Sequence, residues 1–167
     1  MLGLALLYVG AVLVVNGMWL LGKADDREVG LMNLFTGVLT FLIAIYTAFT
    51  QPVGLPASAL AAGQTLLFSF TYLWVGLNNV FHLGDGRGLG WYCLFVAIST
   101  IPSSLVTFQA GDGRFGVIWL IWGVLWFVFF LVLALKRNLG QFTGWFTALV
   151  GVATCWIPGY LILLNRW

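Results

Sequence analysis

Residues 115–135 read FGVIWLIWGVLWFVFFLVLAL, an apolar run without a single charge, bounded by Asp112 and Arg114 before it and by Lys136 and Arg137 after it. A helix needs about 20 such residues to cross a hydrocarbon core about 30 Å thick. The run is long enough to span. Working outward from it, breaks in hydropathy at Gly, Pro and charge clusters mark five more segments of the same kind, near 2–21, 30–50, 60–81, 89–108 and 142–164. The composition agrees: 62% of the 167 residues are hydrophobic, 7% are charged and mean hydropathy is +1.04, whereas soluble domains carry about 25% charged residues. The expected fold is an all-α integral membrane protein of six transmembrane helices, a single domain over residues 1–167. Any function has to sit inside the membrane.

The first segment has no basic leader and ends in a short charged loop, so it reads as a retained span and not a cleaved signal. Lys23, Arg27, Arg87, Lys136 and Arg137 fall in the first, third and fifth connections, against Arg114 and Arg166 on the other side. The positive-inside rule then predicts both termini outside. Cys93 and Cys155 lie in apolar helices, as buried small hydrophobes do, and the net charge of +2 with scattered basic residues excludes a nucleic-acid surface. Gly3, Gly10 and Gly17 recur every seven residues on one face, a pattern that lets a neighbouring backbone approach. Pro102 and Pro158 each remove a backbone hydrogen bond inside a span, predicting a kink near each.

All five acidic residues, Asp25, Asp26, Glu28, Asp85 and Asp112, are expected in loops. Ion- and proton-coupled transporters ordinarily keep ionisable groups at the midplane, and cation pores use carboxylate rings or carbonyl loops. Neither signature is present, which points to uncoupled passage of something neutral. The single histidine, His82, has no Cys or Glu at metal-ligand spacing and no reactive-serine elbow occurs, so no catalytic residue, metal site or cofactor is expected. His82 reads as an interfacial residue beside Asp85 and Arg87.

Trp119, Trp122 and Trp126 stand at spacings of three and four, hence on one narrow helical face. Aromatic belts sit at headgroup level, but this ladder climbs roughly 10 Å toward mid-helix. Periodicity leaves two readings open, a packing stripe and the wall of a slot. As a slot, planar indoles offer π faces to a flat amide and an N–H to its carbonyl. An ion entering the same slot loses its hydration without replacement. Leu2, Leu6 and Leu13 on the first helix, and Phe70 and Trp74 one turn apart on the third, either narrow the same passage or pack helices. The polar Asn16, Asn33, Gln64, Asn78, Asn79, Ser99 and Thr100 are expected to face other helices or water rather than lipid.

Five stretches in order, MLGLALLYVG, LLFSFTYLWVGLN, GWYCLFVAISTIP, IWLIWGVLW and CWIPGYL, resemble the urea and short-chain amide channels, a family that includes the proton-gated urea channel and the amide transporters encoded beside amidases. The resemblance runs nearly end to end. It implies a homohexamer in the bacterial cytoplasmic membrane, surrounded by lipid, in which each protomer encloses its own solute path. It also implies that Leu2, Leu6, Leu13, Phe70, Trp119, Trp122 and Trp126 form the constriction, with Trp74 standing where the gated channel has Tyr. The implied permeant is urea or a short-chain amide such as acetamide, consumed by a cytoplasmic urease or amidase. The gated member carries histidines on long outer loops and a carboxylate in its last helix; here the outer loops hold no histidine and Val150 stands at the carboxylate position. Acid activation is therefore not expected. Two other readings remain open at this point: a secondary transporter of small amides, and a non-conducting structural or regulatory subunit.

Overall fold

The computed structural model describes all residues, 1–167. Its six apolar spans are α1 (Leu2–Leu20), α2 (Asp26–Thr50), α3 (Leu55–Phe81), α4 (Arg87–Gln109), α5 (Gly113–Leu133) and a sixth, α6, from Phe142 to Leu163. There is no strand. α2 and α3 begin four and five residues before the points where hydropathy rises. Asp25 caps α2 by accepting the Arg27 N–H at 2.8 Å, and Asp26 and Glu28 sit in the first turn, where the helix dipole favours a negative charge. These two carboxylates belong to a helix end and not to a loop. At α3 the start is set by Pro56, whose fixed φ suits the first turn.

The spans pack chiefly as three antiparallel pairs, α2 with α3, α4 with α5, and α6 with α1. Each seam uses small residues. A Cβ on Gly3, Gly10 or Gly17 would lie 2.6–3.0 Å from Gly159, Trp156 or Gly144 and Ala148 of α6. Gly144, Gly151 and Gly159 present the reciprocal face to α1. In the second seam Gly37 meets Leu73 and Ser69 Oγ donates to the Gly37 carbonyl at 2.9 Å. In the third, Ser104 Oγ donates to the Gly116 carbonyl at 2.8 Å.

Laying Gly30 of α2 on Gly90 of α4 superimposes their buried positions one for one, from Val29 on Leu89 to Ala44 on Ser104. α6 follows the same pattern from Gly144 to Thr154 and then runs one residue late, at Pro158 and Gly159. The extra residue is held by a π-helical turn over Gly151–Trp156, the wider coil that accommodates an inserted residue. This turn, immediately before Pro158, is the form taken by the helix irregularity expected there. α4 stays helical through Pro102. Cys93 and Cys155 are buried and unpaired.

Candidate functional site

A cavity of about 300 Å³ runs from the end of the bundle that carries the α1–α2, α3–α4 and α5–α6 connections to mid-depth. Asp26, His82 and Asp85 stand at its mouth, Asn16, Asn78 and Asn79 line it further in, and Leu13, Phe68, Tyr72, Trp122 and Trp126 are its deepest side chains along their helices. The odd-numbered helices supply these deep positions. α1 brings Leu13, α3 brings Phe68 and Tyr72, and α5 brings the indoles.

Phe68 is the hub of an aromatic cluster. Its ring lies 4.8 Å from Trp122 and 4.7 Å from Trp126, both edge-on, and 6.1 Å from Trp119, which itself meets Trp122 edge-on at 5.0 Å. Such T-shaped contacts are the favoured geometry for rings carrying quadrupoles. Two of the three indole N–H groups are already engaged. Trp122 Nε1 donates to Thr154 Oγ1 at 2.8 Å, and that hydroxyl donates to the Val150 carbonyl at 2.6 Å. Trp126 Nε1 donates to Thr71 Oγ1 at 3.2 Å, which donates to the Leu67 carbonyl at 2.7 Å. Two threonines thus fix the planes of two indoles. Here the structure departs from the sequence reading, which gave those N–H groups to a solute carbonyl.

The structure separates the eight residues singled out from sequence. Leu13, Trp122 and Trp126 line the cavity; Leu6 and Trp119 belong to the same buried apolar cluster, beyond its inner end. Leu2 is 52% exposed at the start of α1. Phe70 and Trp74 are 44% and 39% exposed and pack outward, Phe70 against Phe41 of α2 and Trp74 against Tyr92 of α4. The aromatic pair of α3 that lines the cavity is Phe68 and Tyr72, two residues earlier. Trp74 accordingly lies outside the cavity lining. The signal that marks the inward face is Ser69 and Gly76, which occupy the seam with α2 and so orient Phe68 and Tyr72 to the centre.

Asn16 and Asn33 form a reciprocal pair, Asn16 Nδ2 donating to Asn33 Oδ1 at 3.1 Å and Asn33 Nδ2 donating to Asn16 Oδ1 at 2.6 Å. Thr100 is buried, while Gln64 and Ser99 line a shallow groove between α3 and α4. At the mouth, His82 is exposed and closes α3 in a left-handed conformation (φ 54°), its N–H donating to the Asn78 carbonyl. Asp85 accepts the Arg87 N–H at 3.1 Å and pairs with its side chain at 2.9 Å. That backbone donor, with Lys136 and Arg87 nearby, holds the Asp85 carboxyl below its usual range.

Residues 1–166 match the family model described as AmiS/UreI family transporter. The chain is 45% identical over 163 residues to the putative transporter protein AmiS2 of Rhodococcus erythropolis, covering 96% of this chain and 78% of the relative. It is 39% identical over 196 residues to the acid-activated urea channel of Helicobacter pylori strain ATCC 700392 / 26695, covering both chains completely. The cryo-EM structure of the Helicobacter pylori urea channel in the closed state superimposes with a TM-score of 0.91 at 37% identity over the whole of both chains.

Proposed function

Because the chain belongs to the AmiS/UreI family of transporters, we propose that it is a passive channel for urea and short-chain amides, each protomer of a homohexamer carrying its own path. It is a multi-pass protein of the bacterial cytoplasmic membrane and a transport protein, not an enzyme. The observation that carries the proposal is the course of the cavity. From the asparagines to the aromatic cluster it is walled by apolar and aromatic side chains, with carboxylates and the histidine confined to the mouth. A neutral, flat solute keeps van der Waals contact with ring faces along such a wall. An ion forfeits its hydration with no ligand in return. In this reading Leu13, Phe68, Tyr72, Trp122 and Trp126 line the constriction, Leu6 and Trp119 continue it toward the other face, and both termini lie outside. Solute crosses when Phe68 swings clear of the indole edges, a movement of rings within a backbone held by the glycine seams.

The absence of a titratable carboxylate or histidine along the wall favours a channel over a coupled transporter. It equally disfavours acid gating. Purified chain in sealed proteoliposomes should equilibrate urea and acetamide without concentrating either, and collapsing a proton or sodium gradient should leave the rate unchanged. Accumulation of either solute against its gradient overturns the proposal, as does permeability no greater than that of empty vesicles. A cytoplasmic urease or amidase would draw the flux inward by hydrolysing the solute as it enters.

A further inference from the structure

Of the three asparagines that line the cavity between the mouth and the rings, Asn16 and Asn79 keep unspent hydrogen-bond capacity, and Asn33 stands behind Asn16. An asparagine amide has two N–H donors and an oxygen with two lone pairs. Asn33, fully buried, spends both donors, one on Asn16 Oδ1 and one on the Val29 carbonyl at 2.8 Å. Asn16 spends one donor and one lone pair on Asn33, which leaves one N–H and one lone pair on an amide that lines the cavity. Asn79 lines the same cavity, and its Nδ2 is buried with no partner. The other unpartnered buried polar atom of the chain, Thr36 Oγ1, does not line it. Buried donors without acceptors are rare, because the group has given up water and gained nothing.

We infer that Asn16 and Asn79 form a carboxamide-recognition stage in the vestibule, and that Asn33 is the positioning residue that fixes the plane of Asn16. The Asn79 N–H groups take the carbonyl oxygen of a passing amide, while the free lone pair of Asn16 takes an N–H of the solute. The stage selects a neutral molecule with both a carbonyl and an N–H, ahead of the rings, which select flatness. The arrangement also gives Trp122 and Trp126 their role by exclusion: with their own N–H groups bound to Thr154 and Thr71, they wall the slot without supplying donors.

This inference rests on the channel reading, and the test separates the two. Urea, acetamide and osmotic water permeabilities are measured in the same proteoliposomes for the full chain and for Asn79→Leu and Asn79→Gln. Asn79→Leu should lower the amide-to-water permeability ratio by about tenfold, the factor expected for one neutral hydrogen bond. Asn79→Gln, which keeps the donors, should hold most of it. Asn33→Leu, which frees Asn16 to turn, should lower the ratio in the same direction. Should Asn79→Leu fail to fold, as judged by its elution in detergent, Asn79→Ser provides the same comparison. If the unaltered chain conducts no amide, the channel reading fails; if it conducts and Asn79→Leu keeps its ratio, the recognition stage alone is wrong.

Discussion

Between α1 and α6 the chain sets Gly3, Gly10 and Gly17 against Gly159, the Trp156 backbone and Gly144, whereas across the passage α5 and α3 meet through Trp119, Trp122, Trp126 and Phe68. The seam joins backbone to backbone and the centre joins ring to ring. Lipid tails are as apolar as leucine, so helix association in a membrane depends on close packing rather than on the hydrophobic effect. Small residues bring the backbones near enough for that. In the proposed channel the rings have to move, since a solute would pass between them, and a frame of interlocked backbones would let them do so without loosening the fold. In that reading, rigid and mobile parts fall at opposite ends of the side-chain size scale.

The most direct way to break this division is at Gly10. A Cβ there falls 2.6 Å from the Trp156 nitrogen and 2.8 Å from its Cα, atoms that move only if the π-helical stretch moves with them. Overpacking of a tight site costs about 1–3 kcal/mol for small additions, and a branched side chain adds several atoms at once. Gly10→Val should therefore lose most of the folded, monodisperse protein in detergent, and Gly10→Ala should lower its melting temperature. Normal yield and melting for Gly10→Val would show that the seam is softer than its distances imply.

At the centre the expected effect moves from assembly to selectivity. Trp122→Ala removes an indole that contacts Phe68 and Trp119 and frees Thr154, yet the space it leaves adjoins a cavity that water and solute can fill. The variant should assemble and discriminate about tenfold less between acetamide and bulkier amides, at the lower end of what a pocket extracts from a small difference in solute size. Trp126→Ala should act in the same direction. A variant that assembles and conducts with unchanged selectivity removes that residue from the wall.

The same comparison explains what the sequence made legible. The six spans follow from hydropathy because only a helix satisfies its backbone within lipid, and the heptad of glycines on α1 marks its seam directly. The face of α3 was harder. Aromatics stand at 68, 70, 72 and 74, and at about 100° per residue the pair 68 and 72 points nearly opposite to 70 and 74. Lipid and protein centre are both apolar, so hydropathy cannot choose between them. Ser69 and Gly76 make the choice, but only once their seam with α2 is known. The π-helical turn had a trace in the sequence, since glycines spaced 7 and 8 on α6 face glycines spaced 7 and 7 on α1. That mismatch becomes readable when the two helices are known to be partners. The engagement of the indole N–H groups left no trace, because a threonine 32 or 55 residues away becomes a partner only through the fold.

The smallest expected effect is that of pH, where the relative named as an acid-activated urea channel sets the contrast. A switch between about pH 5 and 7 ordinarily needs a histidine coupled to the gate or a carboxylate raised by burial. In the sixth span, Val150 is buried in the apolar cluster and carries no titrating group. On the side with the termini, Asp112 is occupied in capping α5, its carboxylate accepting the Phe115 N–H at 3.0 Å. At the mouth, Asp85 is shifted down by the Arg87 N–H, Lys136 and the Arg87 side chain. The sign follows: a carboxyl lowered in the folded state contributes above its unfolded pKa of about 3.9 and loses that contribution only as pH falls through the folded value. The interval of about pH 5–7 lies above both, so Asp85 stays ionised throughout it. His82 stands at the same mouth, its backbone N–H bonded to the Asn78 carbonyl, far along α3 from Phe68. Urea or acetamide flux should therefore stay nearly constant as outer pH crosses that interval, and His82→Ala should neither create nor abolish a response. A steep, reversible loss of flux at neutral outer pH, with inner pH clamped, would mean that the rings answer to a titrating group outside the wall and that the frame is less rigid than the seams imply.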